Sequence, residues 1–525
     1  MKLHHITLFI LTFFILSSCS SELEDLNYQK IIKPQLINPE KDPALFLPNH
    51  VYKIKRGDTL QLSPIVEYHN MSDLKFTWYI NGKEIGNEQE LTWVCDISEK
   101  IVYGRLDIFR KSAGNGDIYP FVLEHDTPFE RGFGVLAKKG GVLKYHFFQE
   151  VVKSPYFQYT FHNNAAARDI VFTNPVKMVE YWSCESPSII GEMIYVDRNP
   201  EKCYSMQGTT LAPVLTLQQK FINEKFPDNL QVKDIMYAGF VSYILAEDGK
   251  LYQRKRGRGY YTGRYHDLPV QYKGEELQIS KLIPINKYSL EHCLVYDSKY
   301  NRFLLINTDY SVVNTSNIGS KAGQIIEFPS SVGMSDITDK ELVSCTLIKT
   351  TSTPYLFWAV FKGKTDNKYY ARQFSYSFNG VNIVNFKDTY GGIYEEITDI
   401  DDKSQFAVVN DNDIMMVTTN FIYYTSKNNP ATIYVCQRNA SLLGLPRVFK
   451  TFDKKVVGLA LNKVTRTQGN MCIGLEDGTV ILYNLGDSKM NSAYEVFDET
   501  HILKVESGLG EIIDIKYKSG NLSNF

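Results

Sequence analysis

Leu475-Glu476-Asp477-Gly478-Thr479-Val480-Ile481-Leu482-Tyr483 is the stretch that decides the fold. Two apolar, strand-forming runs flank a polar turn with glycine where the backbone must reverse, which is the pattern of a β-hairpin. The figure recurs as Ala246-Glu247-Asp248-Gly249-Lys250-Leu251-Tyr252 and as Ala137-Lys138-Lys139-Gly140-Gly141-Val142-Leu143-Lys144-Tyr145. Related units are Gly191-Glu192-Met193-Ile194-Tyr195-Val196, Tyr296-Asp297-Ser298-Lys299-Tyr300-Asn301-Arg302-Phe303-Leu304, Phe357-Trp358-Ala359-Val360-Phe361 and Thr419-Asn420-Phe421-Ile422-Tyr423-Tyr424. Seven units recur at a spacing of roughly 50–65 residues, a period that in an all-β sequence predicts the blades of a propeller. Residues 129–525 are therefore read as a C-terminal β-propeller, with seven blades of about 56 residues each. Glu511-Ile512-Ile513-Asp514-Ile515-Lys516-Tyr517 is placed to complete the first blade and close the ring without free edges. WD40-type Trp-Asp and Gly-His signatures and kelch-type diglycines in register are missing.

Ahead of the propeller the rhythm is different. Val51–Lys55 and Thr59–Leu62 alternate around an Arg56-Gly57-Asp58 turn. Phe76-Thr77-Trp78-Tyr79-Ile80 would place Phe76, Trp78 and Ile80 on one face, and Asn81-Gly82 is the strongest short hairpin signal. Further strands read at Leu91–Ile97, Ile101–Arg110 and Gly116–Glu124. Residues 44–128 are thus expected to form an Ig-like β-sandwich with Trp78 in its core, lacking the antibody-type cysteine pair. Arg56-Gly57-Asp58 spells an integrin-binding tripeptide, but a turn accounts for it.

The N-terminus sets the address. Lys2 precedes an apolar run from Ile6 to Leu16, too short to span a bilayer and suited to the core of a signal peptide over residues 1–18. Leu16-Ser17-Ser18-Cys19 resembles a bacterial lipobox, which makes Cys19 the lipid-attachment residue; an ordinary cleaved signal is the alternative. Residues 19–43 read as a lipidated tether, with Pro34, Pro39 and Pro43 against regular structure. Its start, Ser20-Ser21-Glu22-Leu23-Glu24-Asp25, resembles the acidic export signal for the outer face of the Bacteroidetes outer membrane; a plain solvated linker reads similarly.

Composition narrows the classes. A net charge of −2 gives no global field for nucleic acid or anionic lipid. With Cys19 set aside, seven scattered cysteines remain without CxxC spacing, which disfavours a disulfide framework or a zinc site. Cys184 and Cys203 are the one pair considered, buried thiols being the preferred reading. No GxSxG, HExxH, Walker A loop, Rossmann glycine motif or EF-hand is found, and no two of the eight histidines after the signal fall at metal-ligand spacing. No catalytic residue, metal or cofactor is assigned. The densest carboxylates, Glu395, Glu396, Asp399, Asp401 and Asp402, read as a solvated loop.

Taken together, the lipobox, the Ig-like module and Arg131-Gly132-Phe133-Gly134-Val135-Leu136 resemble the PKD-like family of Bacteroidetes lipoproteins. The resemblance implies an accessory component of a Sus-type uptake system. Its partners would be a TonB-dependent transporter and its lid lipoprotein, its ligand an oligopeptide or an oligosaccharide. The function expected is a non-catalytic binding or scaffold subunit at the cell surface. Alternatives are a propeller-fold hydrolase or lyase acting on the imported polymer, and an adhesin. The candidate contact residues are Arg254, Arg256, Arg258, Tyr260, Tyr261, Arg264 and Tyr265. They lie in a basic, aromatic, glycine-containing segment expected to project as a mobile loop able to stack on a sugar ring or fork onto a carboxylate. Packing against the protein's own propeller is the bland alternative.

Overall fold

The structure is a computed structural model. It describes the chain from residue 33 to 519 except 38–45, 56, 98–100, 126–128, 130, 154–155, 164–172, 182–191, 209, 239–240, 256–262, 286–291, 309–322, 331–336, 350–353, 380, 389–394, 409–420, 438–444, 463–468 and 487–495. Among the described residues every extended element is β, with only short 3-10 turns between strands. The chain divides into two compact units, the first ending at Asp126.

In the N-terminal unit a five-stranded sheet runs in the spatial order Val51–Ile54, Asn115–His125, Ile101–Arg110, Leu74–Ile80, Lys83–Gly86. Two-stranded sheets pair Thr59–Leu62 with Leu91–Val94 and Gln35–Ile37 with Ile65–Glu67. Alternation builds the core: Phe76, Trp78 and Ile80 are buried with Leu106, Ile108 and Phe121. Trp78 is fully enclosed, edge-on to Phe46 at 5.0 Å, and its indole N–H donates to the Glu88 carbonyl at 2.9 Å. Asn81 and Gly82 take φ of 49° and 77°, the pair of positive values a tight hairpin needs. Two features depart from the expected pattern. Val51–Ile54 pairs parallel to Asn115–His125, a connection that alternation within one strand does not encode. Gln35–Ile37, read from sequence as part of the tether, is a strand. Pro34 precedes it, where no ladder N–H is required, and Lys33 bonds Asp117 at 3.3 Å.

Residues 127–525 build meander sheets, numbered here 1 to 7 in order. Sheet 1 holds Arg131–Lys139, Val142–Lys153 and Tyr156–His162 plus the C-terminal strand Glu511–Ser519. Sheets 2 to 7 begin at Pro175, Val232, Ile279, Lys340, Phe406 and Val456. Each sequence unit described above falls, in its described part, on a different one of these sheets. Every sheet packs on the next through its own apolar cluster, such as Tyr145 and Phe147 against Met193 and Tyr195, or Phe357 and Phe374 against Phe303 and Leu294. A last cluster joins sheet 7 to sheet 1 through Cys472, Val480 and Leu482 against Phe133, Phe148 and Ile515. Glu511–Ser519 pairs antiparallel with Arg131–Lys139, so the chain's end closes the ring. This is a β-propeller architecture. Gly132 marks the seam: at φ 147° an added Cβ would lie 1.9 Å from the Phe148 carbonyl oxygen, which explains the glycine after Arg131.

Candidate functional site

Arg254 is the last but one residue of Leu251–Lys255, the edge strand of sheet 3, and its backbone forms an antiparallel bridge with Tyr265. The Tyr265 amide donates to the Lys220 carbonyl at 2.7 Å and its hydroxyl to Ser242 Oγ at 2.8 Å. The Arg254 guanidinium lies 5.5 Å from the Tyr265 ring centre and 5.9 Å from that of Tyr237, whose hydroxyl accepts from Lys220 Nζ at 3.2 Å. Arg254, Tyr265 and Lys220 are all fully buried. Arg254 and Tyr265 are therefore core residues rather than parts of a projecting loop. Backbone pairing fixes them, and the cluster between sheets 2 and 3 takes up the Tyr265 ring. Arg264 is exposed. Arg256, Arg258, Tyr260 and Tyr261 lie outside the described residues, as do Cys19, Arg56 and Cys184.

The other groups singled out in the sequence have structural partners. Asp402 accepts from Lys362 at 3.0 Å and from the Tyr369 hydroxyl at 3.0 Å, Asp399 holds the Asn428 amide at 2.8 Å, and Glu396 bonds Lys368 at 2.8 Å. Glu395–Ile397 is a short strand paired with Tyr369–Ala371. Cys203 is a free buried thiol donating to the Asp197 carbonyl at 3.1 Å, and burial pushes its pKa up to about 12. Among the described residues no three His, Cys, Asp or Glu groups come together as a metal site.

Geometry missed by sequence reasoning appears on the first strands of the sheets, which approach one another in sheets 1 to 3 and again from sheet 4 through sheet 7 back to sheet 1; in sheet 1 the C-terminal strand Glu511–Ser519 takes that place. In six of the seven sheets this strand carries a bulge near its start, leaving one residue unpaired. The residues just after the bulge are Asp514, Lys177, Asp234 and Lys281 in sheets 1 to 4, an alternation of charge, then Ser344 in sheet 5 and Gly458 in sheet 7. Lys177 bonds Asp234 at 2.5 Å across two sheets, and Asp514 accepts the Met178 amide at 3.0 Å. Solvent reaches Lys281, yet the protein crowds it enough to lower its ammonium pKa. Lys233 and Lys177 add like charge, opposed by Asp234 and Asp402. Equivalent register brings these residues together from positions about 50 apart in sheets 2 to 4, and from the far end of the chain for Asp514, so no local motif reveals them.

A second polar cluster lies at the seam. Glu150 is buried against Arg131 Nε at 2.5 Å and accepts from the hydroxyls of Tyr159 at 3.2 Å and Tyr517 at 3.1 Å. Asn470 of sheet 7 donates to the Tyr159 hydroxyl at 2.8 Å. Burial raises the Glu150 carboxyl above its usual range despite Arg131 and these donors. The N-terminal unit offers an open groove of about 540 Å³ lined by Lys33, Gln35, Val66, Glu67, Tyr68 and His69.

Residues 43–107 match the PKD-like domain family, which assigns the N-terminal sandwich. A search of curated proteins finds no match. Among solved structures the chain is similar to a quinonprotein alcohol dehydrogenase-like protein from Bacteroides thetaiotaomicron at 10% identity and TM-score 0.37, covering 93% of this chain and 96% of that one. It is also similar to the WD40 domain of SCAP from fission yeast, with 11% identity, TM-score 0.35 and coverage of 74% and 94%. Saccharomyces cerevisiae Sqt1 gives 8% identity, TM-score 0.35 and coverage of 79% and 85%. Likenesses this remote leave the propeller assignment resting on the strand pairing described above, and the dehydrogenase name speaks of that protein alone.

Proposed function

We propose that this chain is a lipid-anchored outer-membrane protein exposed at the cell surface, a non-catalytic binding or scaffold subunit of a TonB-dependent nutrient uptake complex. The observation that carries the reading is the lipobox ending at Cys19, followed by an acidic segment and then by a PKD-like sandwich and a propeller. Several acyl chains on one cysteine hold a soluble body at a membrane, each buried methylene contributing about 0.8 kcal/mol. The two β units then present strand-end loops and sheet edges, the parts of such folds that take ligands and partners. The seven meander sheets are read as seven blades. The charge ring and the exposed Arg264 supply recognition groups rather than a reacting pair, since the carboxylates of the Glu396–Asp402 run are engaged with Lys, Tyr and backbone donors. Native complexes extracted gently from the outer membrane should contain the transporter and its lid lipoprotein along with this chain. Cys19→Ala should release the chain from the membrane fraction.

A further inference from the structure

The geometry points to a carboxylate-binding site on the first strands of sheets 2 to 4, formed by Lys281 and Lys233 with Lys177 beside them. The first strands of sheets 2, 3 and 4 deliver these three amines at or next to their bulges, so all three belong to the same level of the ring. Asp234 is already bound by Lys177 at 2.5 Å, and Asp402 is held by Lys362 at 3.0 Å, so the two nearest carboxylates are committed elsewhere. Among the described residues neither Lys281 nor Lys233 makes an ion pair. Around Lys281 stand two lysines, Lys233 and Lys177, and two carboxylates, Asp234 and Asp402, each carboxylate already paired with another lysine.

The groups acting on Lys281 from the neighbouring strands and loops are Lys233, Lys177, Asp234 and Asp402. Like charge and crowding penalise its ammonium, and an anion seated between Lys281 and Lys233 removes that penalty. A crowded amine that solvent still reaches is suited to a ligand anion, because the charge is partly desolvated before binding. This deepens the proposed role as a binding subunit and rests on it. The ligand class it names is an acidic oligosaccharide or an acidic peptide, which share the carboxylate.

The test uses the purified protein with its lysines reductively methylated with carbon-13, followed by NMR as acetate, tri-galacturonate or triglutamate is added. One shifted lysine resonance, absent in Lys281→Gln and titrating below the other lysines without ligand, is expected to move with at least one oligomer and to titrate higher when bound. Calorimetry on unmodified protein should show at least tenfold weaker binding for Lys281→Gln and near-normal binding for Lys281→Arg. Which oligomer binds separates glycan from peptide. No response of Lys281 to any of the three probes overturns the site, as does equal affinity in Lys281→Gln. Because recovery of the membrane complex is measured separately, loss of this site and loss of the uptake role give different results.

Discussion

Replacing Glu150 by Ala and by Gln separates two explanations of the propeller's seam. Glu150 carries the Arg131 ion pair and accepts hydrogen bonds from Tyr159 and Tyr517, joining the first described strands of sheet 1 to its C-terminal strand. Glu150→Ala removes every acceptor and leaves a cavity. Tyr159, 8% exposed, and Arg131, with a fifth of its side chain in solvent, then lose this acceptor, while Arg131 keeps the Tyr517 hydroxyl at 3.0 Å and Tyr159 the Asn470 amide at 2.8 Å. Loss of one member of a buried pair costs about 3–5 kcal/mol, and the solvent share of Arg131 puts the expected value near 3. Glu150→Gln keeps the shape and one carbonyl oxygen. Since burial raises the folded pKa of Glu150, the charge itself is not what the site favours. The Gln variant should therefore cost under about 1 kcal/mol. Linkage gives a matching sign. A carboxyl whose pKa is raised on folding binds more protons in the native state. Its contribution is full below the unfolded value of 4.5 and falls as pH rises through the raised value. That pH dependence should vanish in Glu150→Gln. Scanning calorimetry of the full chain is the assay, with a drop of roughly 3–4 °C in the propeller transition expected for Ala in a unit of this size. Equal losses in both variants, or a change under about 1 °C in Ala, would refute a hydrogen-bonded seam.

Two further outcomes follow from named residues. Tyr260, Tyr261 and Arg264 replaced together by Ala should leave stability within about 0.5 kcal/mol of wild type in thermal melts, while complex recovery or ligand binding weakens by about 1 kcal/mol or more; unchanged recovery removes the segment from the binding account. His146, buried and stacked on Phe161 at 5.8 Å, has its pKa lowered to about 4 by burial and then by Lys144. A lowered histidine pKa means the native state binds fewer protons, so stability should fall by up to about 3 kcal/mol as pH drops from 6.5 to 4, and His146→Phe should flatten that limb in thermal melts.

How much of this was legible in the chain depends on whether the signal was local. Hairpins such as Leu475–Tyr483 and Asn81-Gly82 announce themselves within ten residues, because turn chemistry and alternation both act locally. Closure by Glu511–Tyr517 was legible too, since an apolar alternating strand at the end of a blade series has one open edge to join. The strand Gln35–Ile37 was hidden by its proline and by having only three residues. Arg254 and Tyr265 were misplaced for a related reason. Composition marks a basic, aromatic segment, but which members turn inward is decided by backbone bridges to Lys220 and Ile222. The alternating ring of Asp514, Lys177, Asp234 and Lys281 was illegible. Each residue is ordinary in its own strand, and only the repeated bulge register brings them together.

Affinity recovery of the tagged native protein from outer membranes under gentle detergent, with the Cys19→Ala form alongside, tests the central claim most directly. The account predicts that the wild-type chain brings down a TonB-dependent transporter and its lid lipoprotein in stoichiometric amounts, while the Cys19→Ala form is found outside the membrane fraction. Recovery of the wild-type chain alone, or a Cys19→Ala protein that stays membrane-bound at the mature size, would contradict it.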